Sequence, residues 1–391
     1  MQTSKRSKEV VFYFTPDFPP QRNAAGLRAA YHCAALTKHG LEVRVLTSRS
    51  QNERHAQADI EISELGDSPT GVQKNTVRIF REILIGFRGA AILKRLTPKM
   101  LIISSPPFFS SILLACAARL MRVPYCVDVR DRYPEVFFSL GIIKKESFLG
   151  YISFKLEAGL YKNARMVAVA TSGISDSICK ELRGVTCEVV PNGFVGSIMP
   201  AEKKTDEGCV AILTHGTFGR FFNEEVFEEI GNRIQARLGS KVKIIAVGSG
   251  PKLDSLNRKR LEWLETKSWM PQRDLEYLLS RVHIGLSVHT SDESMLNAFP
   301  VKVYDYLGAG LPTVIIPRNL AGQEVQSVGA GRAFATDQIE EAVDLIVAWV
   351  RNPALRNDAS NATRRLRGKY SRIEIAKRFA GKINECVHGA E

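Results

Sequence analysis

The sequence lacks most features that mark secreted, membrane-spanning or zinc-binding proteins. Its seven cysteines are scattered, odd in number and without a Cys-x-x-Cys pair. That usage argues against a disulfide scaffold or a zinc site and for reduced thiols. The first eight residues are polar and basic, the apolar run Val10–Phe14 is too short for a signal peptide, and the longest apolar stretches, near 101–121, are broken by Ser and Pro. We therefore expect a soluble, cytoplasmic protein.

Sequence signatures of common cofactors are missing too. Gly216 and Gly219, like Gly248-Ser249-Gly250, follow a predicted strand and precede a predicted helix, as in phosphate-binding loops. Neither set has dinucleotide-binding or Walker spacing, which disfavours oxidoreductases and P-loop nucleotidases. Glycine at such turns can also serve backbone geometry alone. The seven histidines are dispersed, and no His, Asp and Glu cluster has metal-ligand spacing. We expect no cofactor and no metal.

What the sequence does contain is a repeated alternation of short apolar strands and helices. A chain of 391 residues exceeds one hydrophobic core, and continuous apolar strands are typical of parallel sheets covered on both faces. We predict an α/β protein with two doubly wound Rossmann-like domains, residues 1–196 and 209–372, facing an interdomain cleft. A polar linker, 197–208, would join them, and a C-terminal helix within 373–391 would pack back on the N-terminal domain.

Positive charge is concentrated in the first half of the chain. Residues 1–195 hold 27 Lys and Arg against 17 Asp and Glu, whereas residues 196–391 hold 27 against 24. Segment 74–99 carries seven cations and one acid, with apolar residues at helical spacing, which predicts a basic amphipathic helix. This helix either docks on an anionic membrane surface or packs inward with a solvated basic face. No nucleic-acid module is visible.

Two charged groups are candidates for chemistry. Lys302 and Asp305 lie three residues apart on a predicted helix, 299–307, and so share one face. A cation and a carboxylate there suit a sugar nucleotide, with phosphates at one end and hydroxyls at the other; the alternative is a surface ion pair. Arg220 follows the first glycine loop, where a guanidinium could clamp a diphosphate; the alternative is a surface residue at the start of a helix.

The second charged group follows a buried strand in the first half. Asp128-Val129-Arg130-Asp131-Arg132-Tyr133-Pro134-Glu135 places four charges in five positions. Such charges beside a core either face a ligand or pair with one another.

Several motifs together resemble a known family. They are Pro16-Asp17-Phe18-Pro19-Pro20 with Gly26 and Arg28, Ser105-Pro106-Pro107, the run 128–135, Pro191-Asn192-Gly193, Gly248-Ser249-Gly250-Pro251, and Pro300 through Pro312. Over nearly its whole length the chain resembles the family 4 retaining glycosyltransferases of GT-B fold, in particular their fucosaminyltransferase-like branch. That branch builds O-antigen, capsule and exopolysaccharide units.

The resemblance implies roles for individual residues. Asp305 would hold the donor ribose, Arg220 and Lys302 the diphosphate, and Arg130 and Asp131 would be the catalytic residues beside the donor sugar and acceptor. Further donor-binding positions would be Gly26 in the loop around Asn23–Gly26, Gly216, Gly248 and Asn297. Acceptor-binding or loop-shaping positions would be Arg28, Asp128 and Glu135. The chain departs from the family in having Asn297 and Asp305 where a Glu-x7-Glu pattern is frequent, Phe222-Asn223-Glu224 where a lysine is usual, and Ala24-Ala25-Gly26 in place of twin glycines.

The implied activity is metal-independent, retaining transfer of a sugar from a UDP- or GDP-sugar to a polyprenyl-diphosphate-linked glycan at the inner face of the cell membrane. The acceptor hydroxyl would attack on the face that the leaving phosphate departs from. Two alternatives stay open: a GT-B-fold sugar-nucleotide epimerase, and a catalytically degenerate GT-B binding protein.

Overall fold

The computed structural model describes residues 9–19, 24–49, 60–69, 75–139, 141–195, 209–292 and 295–389, so the predicted linker 197–208 lies outside the described residues. The chain divides into two units. Unit 1 takes the chain up to Asn192 and again from Ile373 onward, and unit 2 takes Gly193 to Arg372.

The described part of unit 1 contains a parallel sheet of seven strands in the order β3-β2-β1-β4-β5-β6-β7. The strands are β1 (Val10–Phe14), β2 (Glu42–Arg49), β3 (Glu61–Asp67), β4 (Met100–Ser105), β5 (Tyr125–Val129), β6 (Met166–Val169) and β7 (Cys187–Val189). The helices are α1 (Ala24–Lys38), α2 (Asn75–Leu96), α3 (Phe108–Leu120), α4 (Glu135–Ser139), α5 (Phe148–Lys162) and α6 (Ser172–Glu181). Most of these strands are apolar along their length because both sheet faces are covered.

Alternate residues of β1 pack into two separate hydrophobic cores, one on each face of the sheet. Val11 and Tyr13 face α1 and the last helix of the chain, α15 (Arg372–His388), whereas Phe12 and Phe14 face α2, α3, α5 and α6. The apolar face of α15 that covers unit 1 repeats every four residues: Ile375, Phe379, Ile383 and Val387. The last helix therefore belongs to the core of the unit in which the chain starts.

The described part of unit 2 repeats this architecture with six parallel strands, in the order β10-β9-β8-β11-β12-β13. The strands are β8 (Val210–Thr217), β9 (Val242–Ser249), β10 (Leu264–Ser268), β11 (Ile284–Val288), β12 (Thr313–Ile316) and β13 (Gly331–Ala333). The helices are α7 (Glu224–Leu238), α8 (Pro251–Lys259), α9 (Gln272–Arg281), α10 (Val301–Gly308), α11 (Leu320–Ser327), α12 (Ile339–Arg351), α13 (Pro353–Ala362) and α14 (Arg364–Tyr370), with a short 3-10 turn at Gly239–Lys241. Helices α13 and α14 follow each other almost directly, with only Thr363 between them.

The basic helix α2 has two apolar faces rather than one. Its buried face, which includes Ile85, Gly86, Gly89 and Leu93, packs against α3 and the sheet. A second stripe, Val77, Phe80, Leu84 and Phe87, lies in solvent, with Phe80 65% and Phe87 61% exposed. We call it the α2 stripe. No helix among the described residues is both long and apolar enough to cross a membrane.

Several cations of α2 are held by neighbouring groups. Arg78 donates to the carboxylate of Glu82 and to the hydroxyl of Tyr133. Arg81 and Arg88 donate to backbone carbonyls of Ser68 and Leu65 beside the edge strand β3. These three arginines therefore fasten α2 to the fold, which leaves Lys94 and Arg95, both exposed, as the cations at its C-terminal end.

Candidate functional site

In unit 2, two glycines meet where β8 and β9 end. Gly216 and Gly248 are register partners, and both have positive φ, 115° and 153°. A Cβ added to Gly248 would stand 1.8 Å from the carbonyl oxygen of Gly216. Parallel strands present their carboxyl ends at one edge of the sheet, where open α/β sheets bind ligands. The glycines therefore allow a close backbone approach at this edge.

Lys302 and Asp305 lie in the first two turns of α10, and both are buried, at 8% and 6% exposure. The ammonium-bearing Cε of Lys302 would lie 3.9 Å from a Cβ on Gly216, and its Nζ is 6.0 Å from the ring centre of Phe218. Within the described residues Lys302 makes no ion pair. The alternative of a solvated surface ion pair between Lys302 and Asp305 is therefore wrong, since both groups are withdrawn from water.

Burial shifts the pKa of each group in the direction that favours its uncharged form. It lowers the pKa of Lys302 to about 8. It raises the pKa of Asp305 to about 7, although the positive charge of Arg372 opposes this rise. A buried ammonium and a buried carboxyl, each close to titration at neutral pH, gain most from a ligand that supplies the missing charge or hydrogen bonds.

Two histidines that the sequence reasoning did not single out lie beside these groups. His215 precedes Gly216 on β8, and its Nε2 lies 3.7 Å from Oδ2 of Asp305. His289 follows β11, and its Nε2 lies 3.0 Å from the hydroxyl of Ser287. Burial, reinforced by the charge of Lys302, lowers the pKa of both histidines to about 3. Both are neutral at pH 7, so the contact between His215 and Asp305 is not an ion pair.

A sequence signal for these histidines exists. Each follows a largely apolar run of strand residues, in Ile-Leu-Thr-His and in Leu-Ser-Val-His. A polar residue at the carboxyl end of a buried strand points toward the ligand-binding edge of the sheet. The histidines are far apart in the sequence, but separation in sequence does not determine how far apart residues lie in the fold.

Arg220 lies in the loop between β8 and α7, and its side chain is half exposed. Its guanidinium lies 3.7 Å from the carboxylate of Asp292 and 5.7 Å from the ring centre of Phe221. The ammonium of Lys252, at the start of α8, donates to the carbonyl of Phe222 and so fastens this loop. Asn297 is exposed in the turn before α10. Unit 2 thus brings Gly216, Gly248, Lys302 and Asp305 to one edge, with Arg220 in the adjoining loop.

In unit 1, Arg28 and Asp128 form a buried pair rather than a solvent-facing one. Nη2 of Arg28 is 2.6 Å from Oδ1 of Asp128, and the hydroxyl of Tyr13 donates to Oδ2 at 3.1 Å. Burial alone would raise the pKa of Asp128, but the guanidinium brings it down to about 2. Arg28 also donates to the carbonyl of Pro191. Gly26 is buried in the first turn of α1, and Asn23 lies outside the described residues.

Arg132 is the centre of a second buried network. Its guanidinium contacts the buried carboxylate of Glu157 at 2.9 Å and the more exposed carboxylates of Glu135 and Glu181 at 2.9 and 2.6 Å. The network joins the loop after β5 to α5 and α6. For Arg132 and Glu135, the expectation that charges of this run pair with one another is therefore met.

Arg130 and Asp131 occupy the same loop but differ from its paired members. The Nη2 of Arg130 donates to the carbonyl of Pro106 at 2.8 Å, and its backbone N–H donates to the carbonyl of Ser105. The side chain of Asp131 is exposed beyond the carboxyl end of β5. Of the charged run, Asp131 is therefore the carboxylate open to an incoming molecule.

The unit 2 groups define what this arrangement can bind. A buried cation beside backbone glycines suits phosphate oxygens, and a buried carboxyl with a neutral imidazole 3.7 Å away suits hydroxyl groups. Across the described residues, no group of three or more His, Cys, Asp or Glu side chains is placed to hold a metal ion.

No family model matches the chain, and no curated protein matches it. Solved structures do match. The chain is similar to sucrose-phosphate synthase from Thermosynechococcus elongatus, with a TM-score of 0.73, 13% identity, and coverage of 98% of this chain and 100% of that one. It is similar to WaaG, a glycosyltransferase involved in lipopolysaccharide biosynthesis, with a TM-score of 0.71, 13% identity, and coverage of 97% and 100%.

A third similar structure is a putative UDP-N-acetylglucosamine 2-epimerase from Listeria monocytogenes, with a TM-score of 0.63, 12% identity, and coverage of 98% of each chain. At such identities the likeness is one of fold. It extends over nearly the whole chain, and each unit contains the parallel sheet with helices on both faces that the sequence predicted. The predicted fold class, a GT-B protein with two doubly wound Rossmann-like domains, is confirmed.

Proposed function

We propose that this chain is a retaining glycosyltransferase that moves a sugar from a UDP- or GDP-sugar to a lipid-linked glycan acceptor in cell-surface polysaccharide biosynthesis. The observation that carries the proposal is the buried Lys302 beside Gly216, with Asp305 one turn further along α10. Lys302 and Arg220 neutralise the diphosphate of the donor, and Asp305 accepts hydrogen bonds from the ribose hydroxyls. Glycosyltransferases among the similar structures support this reading.

In this mechanism the protein stabilises the departing nucleoside diphosphate. Negative charge grows on the phosphate as the bond to the sugar breaks, and Lys302, withdrawn from water, interacts with that charge more strongly than a solvated lysine would. Arg130 and Asp131 are the residues that we propose act on the donor sugar and the acceptor. Because protein cations supply the neutralising charge, nucleotide release should continue at an unchanged rate in the presence of EDTA.

Titration calorimetry with UDP and GDP tests the donor site. Lys302→Met should weaken nucleotide binding about tenfold to a hundredfold, the range for losing a hydrogen bond to a charged group. Lys241→Met, at an exposed lysine of the same unit, is the matched control and should bind normally. Unchanged affinity in both Lys302→Met and Arg220→Gln would defeat the phosphate assignment, and no binding of either nucleotide to the native chain would defeat the enzyme proposal.

An epimerase is the second candidate, favoured by His215 beside Asp305 and by the epimerase among the similar structures. The two reactions differ in what they need. An epimerase changes the NMR spectrum of UDP-N-acetylglucosamine without an acceptor, whereas a transferase releases nucleoside diphosphate when a polyprenyl-diphosphate-linked glycan is present. If the chain binds nucleotide but catalyses neither reaction, the remaining alternative, a catalytically degenerate GT-B binding protein, is favoured.

The same proposal includes peripheral attachment to the inner face of the cell membrane through the α2 stripe. Exposed apolar side chains at helical spacing, with Lys94 and Arg95 at the end of the helix, are typical of interfacial helices. Reversing the charge at Arg78, Arg81 or Arg88 is not a suitable test, because their guanidinium groups donate hydrogen bonds within unit 1 and their loss would disturb the fold. The suitable test is Phe80→Ser with Phe87→Ser, which should reduce co-sedimentation with anionic vesicles.

A further inference from the structure

Unit 1 exposes a second apolar patch, at the N-terminal end of α5. Phe148 and Leu149 are 76% and 61% exposed, and Ile142 and Tyr151, close to them in sequence, are also exposed. Four large apolar side chains close together in sequence and open to water form an unusual surface for a soluble unit. We call these four residues the α5 patch.

Cations surround the α5 patch. Segment 142–156 contains Lys144, Lys145 and Lys155 against Glu146, and the patch lies among them. The ammonium groups of Lys145 and Lys155 lie over the rings of Phe154 and Tyr151, 5.9 and 5.3 Å from the ring centres. Lysine stems that run along an apolar surface and end in water are the arrangement found where a protein meets charged headgroups. The charge sign fits an anionic surface.

A series of contacts connects helix α2, which carries the α2 stripe, to helix α5, which carries most of the α5 patch. The carboxylate of Glu82 in α2 accepts a hydrogen bond from the backbone N–H of Phe109 in α3. Phe109 stacks with Phe137 of α4 at 6.2 Å, and the next residue, Phe138, lies 5.3 Å from Phe154 of α5. Helices α2, α3 and α5 all cover the same face of the unit 1 sheet.

The two patches also lie at the same end of that face. Each of these helices ends three or four residues before a strand of the parallel sheet begins, so its C-terminal end lies at the amino edge of the sheet and its N-terminal end toward the carboxyl edge. The α2 stripe ends at Phe87, before the last two turns of α2, and Phe148, Leu149 and Tyr151 of the α5 patch lie in the first turn of α5. They are therefore two parts of one side of unit 1.

We infer that the α5 patch is a second membrane-contact element whose occupant is an anionic lipid surface. The inference rests on the proposed docking of the α2 stripe but not on the donor site. One interfacial helix leaves the protein free to rotate about the helix axis, whereas two elements separated by α3 fix how unit 1 faces the bilayer. The lysines around the patch contact headgroups while Phe148 and Leu149 enter the interface.

Vesicle partitioning of the full-length chain tests this assignment. Phe148→Ser with Leu149→Ser should lower the partition coefficient onto phosphatidylcholine–phosphatidylglycerol vesicles at least tenfold. Leu120→Ser is the matched control, because Leu120 is 86% exposed but ends α3 at the opposite edge of the sheet; its partitioning should stay within twofold. Pure phosphatidylcholine vesicles should bind the native chain weakly. Unchanged partitioning of the double variant would overturn the inference.

Fluorescence gives a second, direct readout. All three tryptophans, Trp263, Trp269 and Trp349, belong to unit 2, so Phe148→Trp places one in unit 1. Anionic vesicles with brominated acyl chains should quench the added emission. Absence of quenching, or a dimer that the Phe148→Ser, Leu149→Ser variant converts to a monomer, would assign the patch to another occupant. UDP affinity of the double variant should equal that of the native chain, so failure here leaves the donor-site proposal standing.

Discussion

The carbonyl oxygen of Gly216 occupies the space that any side chain on Gly248 would need. The two residues are register partners on β8 and β9, and the 1.8 Å that would separate that oxygen from an added Cβ is far inside van der Waals contact. Glycine at 248 is therefore a requirement of the backbone itself, whatever ligand binds at this edge.

We expect Gly248→Ala to lower the free energy of unfolding by about 3 kcal/mol, since a methyl group there meets rigid backbone at positive φ. Gly219→Ala, in the neighbouring loop, adds a Cβ at an ordinary 3.6 Å from the methyl of Thr217 and should change stability by less than about 1 kcal/mol. Urea denaturation of both variants measures the difference. Equal stability of the two would contradict the close approach.

Nucleotide binding should depend on pH through two residues of α10. Asp305 must be ionised to accept ribose hydroxyls, and its pKa of about 7 predicts affinity that falls below neutrality. Lys302 must be charged, and its pKa of about 8 predicts affinity that falls in alkali. Calorimetry with UDP from about pH 5.5 to about pH 9.5 should give a maximum between these two pKa values. Asp305→Asn should flatten the acid side and Lys302→Met the alkaline side; profiles unaltered by the substitutions would refute the assignment.

Without a ligand, the ionisation of Asp305 should lower the free energy of unfolding as the pH rises from about 4 to about 7. Its pKa is raised from 3.8 to about 7 on folding, so the folded chain holds a proton that the unfolded chain releases, and stability is lost as pH rises through that interval. A pKa shift of about three units lowers the free energy of unfolding by about 4 kcal/mol. The amide of an asparagine at this position would itself cost about 1–3 kcal/mol to bury, which offsets part of the gain from removing the carboxyl group. Asp305→Asn should therefore stabilise the protein by about 2 kcal/mol at pH 8 and not at pH 4, as thermal unfolding without ligand would show.

The buried network around Arg132 predicts a strong coupling. Arg132→Met leaves the carboxylate of Glu157 buried without its guanidinium and should destabilise unit 1 by about 3–5 kcal/mol. Adding Glu157→Leu should recover much of that loss because no unpaired charge remains. Glu135→Gln, at an exposed member of the same network, should cost less than about 1 kcal/mol. Additive losses in the double variant would contradict the pairing.

Asp131 and Arg132 are neighbours with opposite expected effects. Asp131 is exposed, so Asp131→Asn should leave the melting temperature unchanged while lowering kcat about a hundredfold or more if it acts on the acceptor or donor sugar. Asp176→Asn, at an exposed aspartate on α6, is the control for a lost surface charge. Full activity of Asp131→Asn would remove this residue from the catalytic pair.

Sequence patterns predicted the central strands of the two described sheets but missed three of their four edge strands. The strands that were not anticipated, β3, β10 and β13, each stand at an edge of their sheet. Edge strands are only partly covered, so sequences such as Glu-Ile-Ser-Glu-Leu-Gly-Asp and Leu-Glu-Thr-Lys-Ser lack the continuous apolar run that marks a central strand.

For the candidate site, local spacing was enough to place Lys302 and Asp305 on one helix, but not to reveal their burial or their histidine neighbours. The pairing of Arg28 with Asp128 joins residues one hundred positions apart and leaves no periodic signal in the sequence. Which charges pair and which stay open, as in the run from Asp128 to Glu135, depends on such distant partners.

Because α15 returns to unit 1, the two units complete their folding in an unusual order during synthesis. A ribosome moving along this message delivers all of unit 2, Gly193 to Arg372, before the helix that covers the second face of the first sheet exists. Domains usually fold in the order in which they are synthesised. Here the first unit to begin is the last to finish, and until the final helix emerges the apolar surface that α15 covers in the folded chain stays exposed to chaperones and to neighbouring nascent chains.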